Sequence, residues 1–364
     1  MIDGGRVSSG GAPTDGGAPT DATTNPPTGA PTWLDEVPVR HLLEHGLEAH
    51  FPLVPGDRPL VDVGTVVTAG DPLLEHLRDR RIEEVEVRSG PEGGPHPGMR
   101  WSPVSGRRRH DHGIEGELLT PLPGRKERWR LVTGEHRDAV PSPVSGVVVD
   151  VRPGAGIRLR ATGPALRGAL AAGSAAHGRL ELATDPFGEL RPGGIDVGRA
   201  GSILVVGTRI DAEALTRARA MGVRGIVVAS LPGKELRDFQ ASERRQRASL
   251  HSTAAFGVLA LEGALRRPIS SPVTELLERM AGRRVSLLVD PPALVFDEGE
   301  VTMPGIAPDR VRVRSGPNAG AEGRVVGLAG PRRFAAGVIL EAAWVAIDDE
   351  APVDVPLGDL ERFG

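Results

Sequence analysis

A chain of 364 residues with a formal net charge of −4 is long enough for two or three domains, and its overall charge points to neither nucleic acid nor anionic lipid. It has no cysteine, which excludes a disulfide framework, thiol chemistry and zinc–thiolate sites and fits a cytoplasmic protein. Aromatic residues are 3% with no tyrosine, so the core must be built from Val, Leu, Ile and Ala, and base-stacking platforms are all but excluded. No apolar run approaches the roughly 20 residues of a membrane span. The N-terminus lacks the basic-then-apolar pattern of a signal peptide.

Residues 1–32 are Gly, Pro, Thr, Ser, Ala and Asp with a near-repeat of Gly-Gly-Ala-Pro-Thr. Such a segment has no apolar face to offset its ordering entropy and reads as a disordered tail. A β-domain is expected over residues 33–200. At its start, His41-Leu-Leu-Glu44-His45 spells H-x-x-E-H, which resembles the inverted zinc-peptidase motif. On a helix the two histidines would share a face. Pro38 and Gly46 leave barely two helical turns, so the segment reads as a short amphipathic turn that packs Leu42, Leu43 and Leu47.

Val61-Asp-Val-Gly-Thr-Val-Val-Thr-Ala-Gly-Asp-Pro-Leu73 and Val140-Pro-Ser-Pro-Val-Ser-Gly-Val147 carry glycines at turns and β-branched residues in short runs. Pro141 and Pro143 bar a helix and favour extended backbone. Together the two lines resemble the halves of a biotinyl/lipoyl-type module, the barrel-sandwich hybrid, separated here by an insertion at about residues 77–130. The alignment puts Gly134-Glu135-His136 where a carrier module has its modified lysine. A carboxylate cannot form the amide, and the only lysines, Lys126 and Lys234, fall elsewhere. No biotin or lipoate attachment is therefore expected; the resemblance implies an unmodified module used as a scaffold. Within the insertion, Ile82 to Arg88 alternates as an edge strand. Arg107-Arg-Arg-His110-Asp-His112 reads as a solvated loop ahead of a phosphate or metal site. Residues 155–200 alternate apolar and polar positions, as strands that complete the β-domain do.

The character changes at Gly201. Strands at residues 203–207, 224–230, 256–261 and 285–289 alternate with helices at 212–221, 234–250 and 272–281. That order predicts a parallel α/β layer over residues 201–297. Ligands of such layers bind at the carboxyl ends of strands. Here those ends carry Gly207 to Asp211, Ser230 to Lys234, Glu262 to Arg267, and Asp290. No G-x-G-x-x-G or P-loop fingerprint stands there, so no cofactor is assigned. Ser230, Lys234, His251 and Glu262 read as caps and solvated charges ahead of an active site.

In the last segment, residues 298–364, Val311 and Val313 alternate with Arg310, Arg312 and Arg314, which predicts valines toward a small core and arginines toward water. Gly316-Pro-Asn318-Ala-Gly320 is a turn, and Val325-Val326 begins the return strand. Asp309 to Leu328 resembles the KOW motif of ribosomal proteins and transcription-elongation factors, in Val311, Val313, Gly316, Gly320, Gly323, Val325 and Val326; Pro308 departs from the family's glycine. The resemblance implies an SH3-like barrel whose partner is RNA, a ribosome, the transcription apparatus or another protein. Its binding residues would be Arg310, Arg312, Arg314, Gly316, Asn318, Gly320, Arg324, Arg332 and Arg333. Against phosphate binding stand Asp348, Asp349, Glu350, Asp354, Asp359 and Glu361 in the same segment. The expectation is a non-enzymatic adaptor of β plus α/β modules. The alternative is a small-molecule enzyme, or an accessory subunit of an electron-transfer complex, with its site on the α/β layer.

Overall fold

The computed structural model describes residues 32–54, 56–78, 82–87, 94–97, 99–101, 116–133, 136–249, 254–297, 300–302, 304–348 and 351–364. The fold is β-rich. Its centre is a nine-stranded sheet in the order Leu170–Gly173, Gly257–Ala260, Gly225–Val228, Ser202–Val206, Ala176–Leu182, Arg284–Leu288, Ala293–Phe296, Ala165–Arg167, Leu43–Glu44. From Gly257–Ala260 to Ala176–Leu182 the neighbours are parallel. The remaining pairs are antiparallel.

Three helices cover this layer: α1 (Ala212–Ala220), α2 (Gly233–Ser249) and α3 (Ser271–Arg279). Every residue of Ser202–Val206 is buried because the strand is covered on both faces. Leu204 and Val206 share a core with Leu215, Ala218 and Phe239 of α1 and α2. Ile203 and Val205 pack instead with Val273, Leu276 and Leu277 of α3. The period-two alternation of the strand thus distributes one apolar run between two cores. Asp211 starts α1 by accepting a hydrogen bond from the Ala214 N–H at 2.7 Å. Gly222, at φ +82°, lets the chain leave it.

The sheet reaches further than the sequence boundary at Gly201. Ala165–Arg167, Leu170–Gly173 and Ala176–Leu182, expected to complete the β-domain, are strands of the nine-stranded sheet. Alternation identifies a strand but not the sheet that receives it. Leu180 alternates with Arg179 and Glu181 yet is fully buried against Ile203 and Leu287.

Two smaller sheets enclose a separate core. One runs Glu48–Pro52, Gly156–Ala161, Gly146–Arg152, Val66–Val67; the other runs His136–Pro141, Pro72–Arg78, Arg58–Pro59. Leu73, Val144, Val148, Ile157 and Leu159 fill the space between them and meet Leu288 and Val295 of the large sheet. Pro72–Arg78 and His136–Pro141 are antiparallel partners, so the chain between them leaves and returns at one place. That inserted segment has its own four-stranded sheet, Ile82–Glu86, Arg125–Thr133, Gly116–Leu122, Arg100–Trp101. Its small core is Val87, Leu118, Trp129 and Leu131. Ile82–Glu86 pairs along one side only, as expected of an edge strand.

The C-terminal sheet has six strands in the order Val39–Arg40, Leu360–Phe363, Arg310–Val313, Glu322–Arg333, Ile339–Ile347, Val353–Pro356. Val311, Val313, Ala343, Val345, Val355 and Leu360 form its core with Leu34 and Val37. Residues 32–40, expected with the β-domain, therefore belong to this sheet, where Val39–Arg40 runs parallel to the last strand. Among the described residues no helix is long and apolar enough to cross a membrane.

Candidate functional site

A buried polar cluster lies where the C-terminal sheet meets the carboxyl end of strand Gly257–Ala260. Glu262 follows strand Gly257–Ala260, and its side chain is 2% exposed. Its Oε2 lies 2.7 Å from Nη1 of Arg312, which is 0% exposed. Arg40 donates from Nη1 to Glu262 Oε1 at 3.1 Å and from Nη2 to the Leu261 carbonyl at 3.2 Å. Arg312 also donates from Nη2 to the Pro268 carbonyl at 2.7 Å. Two guanidiniums from one sheet thus close on a single carboxylate from another, Arg312 from the buried side and Arg40, 20% exposed, from the rim.

A second carboxylate crosses the same boundary in the other direction. Glu322, on the long strand of the C-terminal sheet, accepts the Ser271 N–H at 2.7 Å. The Ser270 side chain makes no capping bond there, so Glu322 supplies the carboxylate that the first turn of α3 favours. Arg310 Nη2 donates to the other oxygen of Glu322 at 2.8 Å. Gly320 sits at φ +94°, where an added Cβ would lie 3.3 Å from Pro268.

These contacts correct the reading of the arginine ladder. Arg312 does not face water. Its strand is flanked by Leu360–Phe363 and Glu322–Arg333, and the face opposite its valines is covered by the loop through Pro268. Arg310 is committed to Glu322, and Arg314 lies 3.9 Å from Glu361. Arg332 is 3.3 Å from Asp354 and places its guanidinium 5.7 Å from the centre of the Trp344 ring. Arg324 and Arg333 are exposed and have no carboxylate partner among the described residues. Gly316 and Asn318 form the turn before Gly320; Asn318 accepts from the Ala321 N–H at 3.0 Å. The nine residues expected to share one binding surface are therefore divided between an internal interface, a turn and an outer hairpin.

The small-molecule alternative meets the same obstruction. Ser230 donates from Oγ to the Leu265 carbonyl at 2.5 Å and accepts from the Arg267 N–H at 3.1 Å, which ties it to the loop under the C-terminal sheet. His251 lies outside the described residues, as do Arg107 to His112 and the pair Gly134-Glu135. A cavity of about 260 Å³ lies beside strand Arg209–Ile210, lined by Glu189, Arg191, Arg209 and Asp211 among others. Three of its four charges are spent internally: Glu189 on Arg266 at 2.6 Å, Arg209 on Glu235 at 2.9 Å, and Asp211 as the cap of α1. The volume falls below the roughly 300–1,000 Å³ of ligand sites.

His41 and His45 flank the short strand Leu43–Glu44 and do not share a helix face. Glu44, between them, is bonded to Arg167 Nε at 2.5 Å; that hydrogen bond holds its carboxyl below the usual carboxylate range. Among the described residues no group of three or more His, Asp or Glu side chains is placed to hold a metal ion.

Sequence reasoning placed Glu262 at a strand end but gave it no partner, and it assigned no role to Arg40 or Glu322. Arg312, buried between two buried valines, needs an acceptor, but that burial is a property of the fold and not of the neighbouring sequence. Compared with models of known protein families and with the curated proteins, the chain matches none.

Proposed function

We propose that the chain is a non-enzymatic adaptor that joins a ribosomal or transcription complex through protein contacts of its C-terminal sheet. One observation carries this reading. The carboxyl end of strand Gly257–Ala260, where an α/β layer presents its ligands, is built over by the C-terminal sheet through Arg312, Glu262 and Arg40. A surface used for internal mounting does not serve a substrate. What the mount leaves outward is the long hairpin of Glu322–Arg333 and Ile339–Ile347.

The likeness of Asp309 to Leu328 to the KOW motif supports the choice of machinery. The likeness of the sequence lines Val61 to Leu73 and Val140 to Val147 to an unmodified barrel-sandwich module supports a scaffold role for the remainder. In that reading the inserted four-stranded sheet replaces the hairpin on which a carrier bears its lysine. Protein contact is favoured over phosphate contact because Arg310, Arg312, Arg314 and Arg332 already face internal carboxylates. Affinity capture of the tagged chain from its own host's lysate, with and without ribonuclease, tests the reading. Ribosomal or polymerase proteins retained after ribonuclease are expected. Their loss would transfer the contact to RNA, and capture of neither would remove the reading.

A further inference from the structure

The three-stranded sheet of His136–Pro141, Pro72–Arg78 and Arg58–Pro59 changes character along its length. Leu74 and Val140 are register partners, and their shared face enters the core between the two small sheets. Two residues further on, the same face comes out to water: His76 is paired with Asp138, and its side chain is 41% exposed. One pair beyond stands His136, opposite Arg78. His136 and Asp138 are two residues apart on one strand, so they share a face with His76 on the neighbouring strand. Directly opposite residues hold their Cβ atoms about 4.5–5.5 Å apart and diagonal ones about 7–8 Å. Two imidazoles and a carboxylate at such positions can meet at one ion. The His136 side chain lies outside the described residues, and its strand register places it here.

The third strand supports His76 from the other side. Asp57, next to Arg58–Pro59, has its side chain 0% exposed, and its Oδ2 lies 2.8 Å from Nδ1 of His76. That oxygen also accepts the Val54 N–H at 3.1 Å, and Oδ1 is buried with no hydrogen-bond partner among the described residues. A carboxylate only accepts, so the imidazole proton stays on Nδ1 and the Nε2 lone pair faces outward. A buried carboxylate orients a metal-ligating histidine in this way. Asp138 has a protein partner of its own. A carboxylate has about four acceptor positions, and ligating carboxylates are themselves held by the protein. Asp57 and Asp138 against Arg78 leave one negative charge on this face, which favours a cation.

We propose that His76, through Nε2, together with His136 and Asp138 binds a divalent transition-metal ion, with Asp57 orienting His76. Two nitrogen ligands and one oxygen suit Zn²⁺, Co²⁺ or Ni²⁺; Mg²⁺ and Ca²⁺ take oxygen ligands. Three protein ligands leave a position open to water. The ion would join Pro72–Arg78 to His136–Pro141, the two stems from which the inserted sheet leaves and to which it returns. The site is independent of the adaptor reading and of the α/β layer.

The test titrates the full chain, freed of metal by a chelator, with Zn²⁺ by calorimetry and with Co²⁺ by its visible absorption. One equivalent of either ion is expected, and excess Mg²⁺ should not displace it. His76→Gln and His136→Gln should each abolish binding, and Asp57→Asn should weaken it by about 10–100-fold. His110→Gln/His112→Gln, altered in the other histidine-bearing run of the insertion, should bind as the unaltered chain does. Unchanged circular dichroism melts of the metal-free variants establish folding, and where His76→Gln or Asp57→Asn unfolds, His136→Gln decides. No binding by the unaltered chain overturns the proposal. So does binding that survives His76→Gln or His136→Gln, equal affinity in folded Asp57→Asn, loss in His110→Gln/His112→Gln, or displacement by Mg²⁺.

Discussion

Arg312 and Glu262 lie 2.7 Å apart across the boundary between the C-terminal sheet and the α/β layer, and both side chains are closed to water. Burial of this kind costs desolvation free energy, which only the pairing and the bonds from Arg40 and to Pro268 offset. Removing one partner is therefore worse than removing both. Glu262→Ala leaves the buried Arg312 guanidinium without its carboxylate and should cost about 3–5 kcal/mol. The double replacement Glu262→Met/Arg312→Met should recover much of that loss. Urea unfolding of the three proteins measures both numbers, and a Glu262→Ala midpoint equal to that of the unaltered chain would refute the account.

Glu322 is the second tie across this boundary. Its replacement by Ala removes the acceptor of the Ser271 N–H and the partner of Arg310. A loss of about 1 kcal/mol follows, as for other helix caps, with Glu322→Gln retaining part of it. Hydrogen exchange localises the effect: protection in the first turn of α3 should fall while the strand Ser202–Val206 keeps its own.

At Gly320 a side chain is opposed twice, by φ +94° and by the approach of Pro268. Gly320→Val should destabilise by about 1–3 kcal/mol. Gly316→Val supplies the contrast, because that glycine also has positive φ but open space around its Cβ direction. The excess cost at 320 over 316 isolates the interface, and equal costs would mean that Pro268 yields freely.

Glu44 supplies a pH dependence of defined sign. The Arg167 hydrogen bond lowers its pKa. A lowered carboxyl pKa adds stability that is fully present above the unfolded value, about 4.3, and is lost as pH falls through the folded value. Both side chains are more than a third exposed, so the effect is screened and stays under about 1 kcal/mol. Glu44→Gln should flatten this part of the acid limb, and added salt should do the same. An acid limb unchanged by the substitution would separate Glu44 from the titration.

A thermal-shift panel of nucleotides bears on the whole functional reading. A true ligand at a hundred times its Kd stabilises by about 2.7 kcal/mol, which the melt resolves. Because the strand end at Glu262 is covered and three of the four lining charges of the cavity beside Arg209 are paired internally, no member of the panel is expected to move the melt. A shift abolished by Arg209→Ala would reinstate a small-molecule site there.

The sequence by itself determined the local elements. The apolar runs at residues 203–207 and 224–230 and the helical segments at 212–221 and 272–281 specify strands and helices through backbone sterics and short-range hydrogen bonds. The Val-Arg-Val-Arg alternation likewise specified a strand, since period two is a property of the chain alone. Which sheet takes a strand, and what covers each face, depends on residues far apart in the chain. Only the tertiary structure could assign Leu180 to the large sheet, Val39 to the C-terminal sheet, and Arg312 to a buried carboxylate 50 residues earlier in sequence. The candidate site was illegible for the same reason. An arginine facing solvent and an arginine closing on Glu262 have the same sequence neighbours, and the difference is made by the loop that packs over one of them.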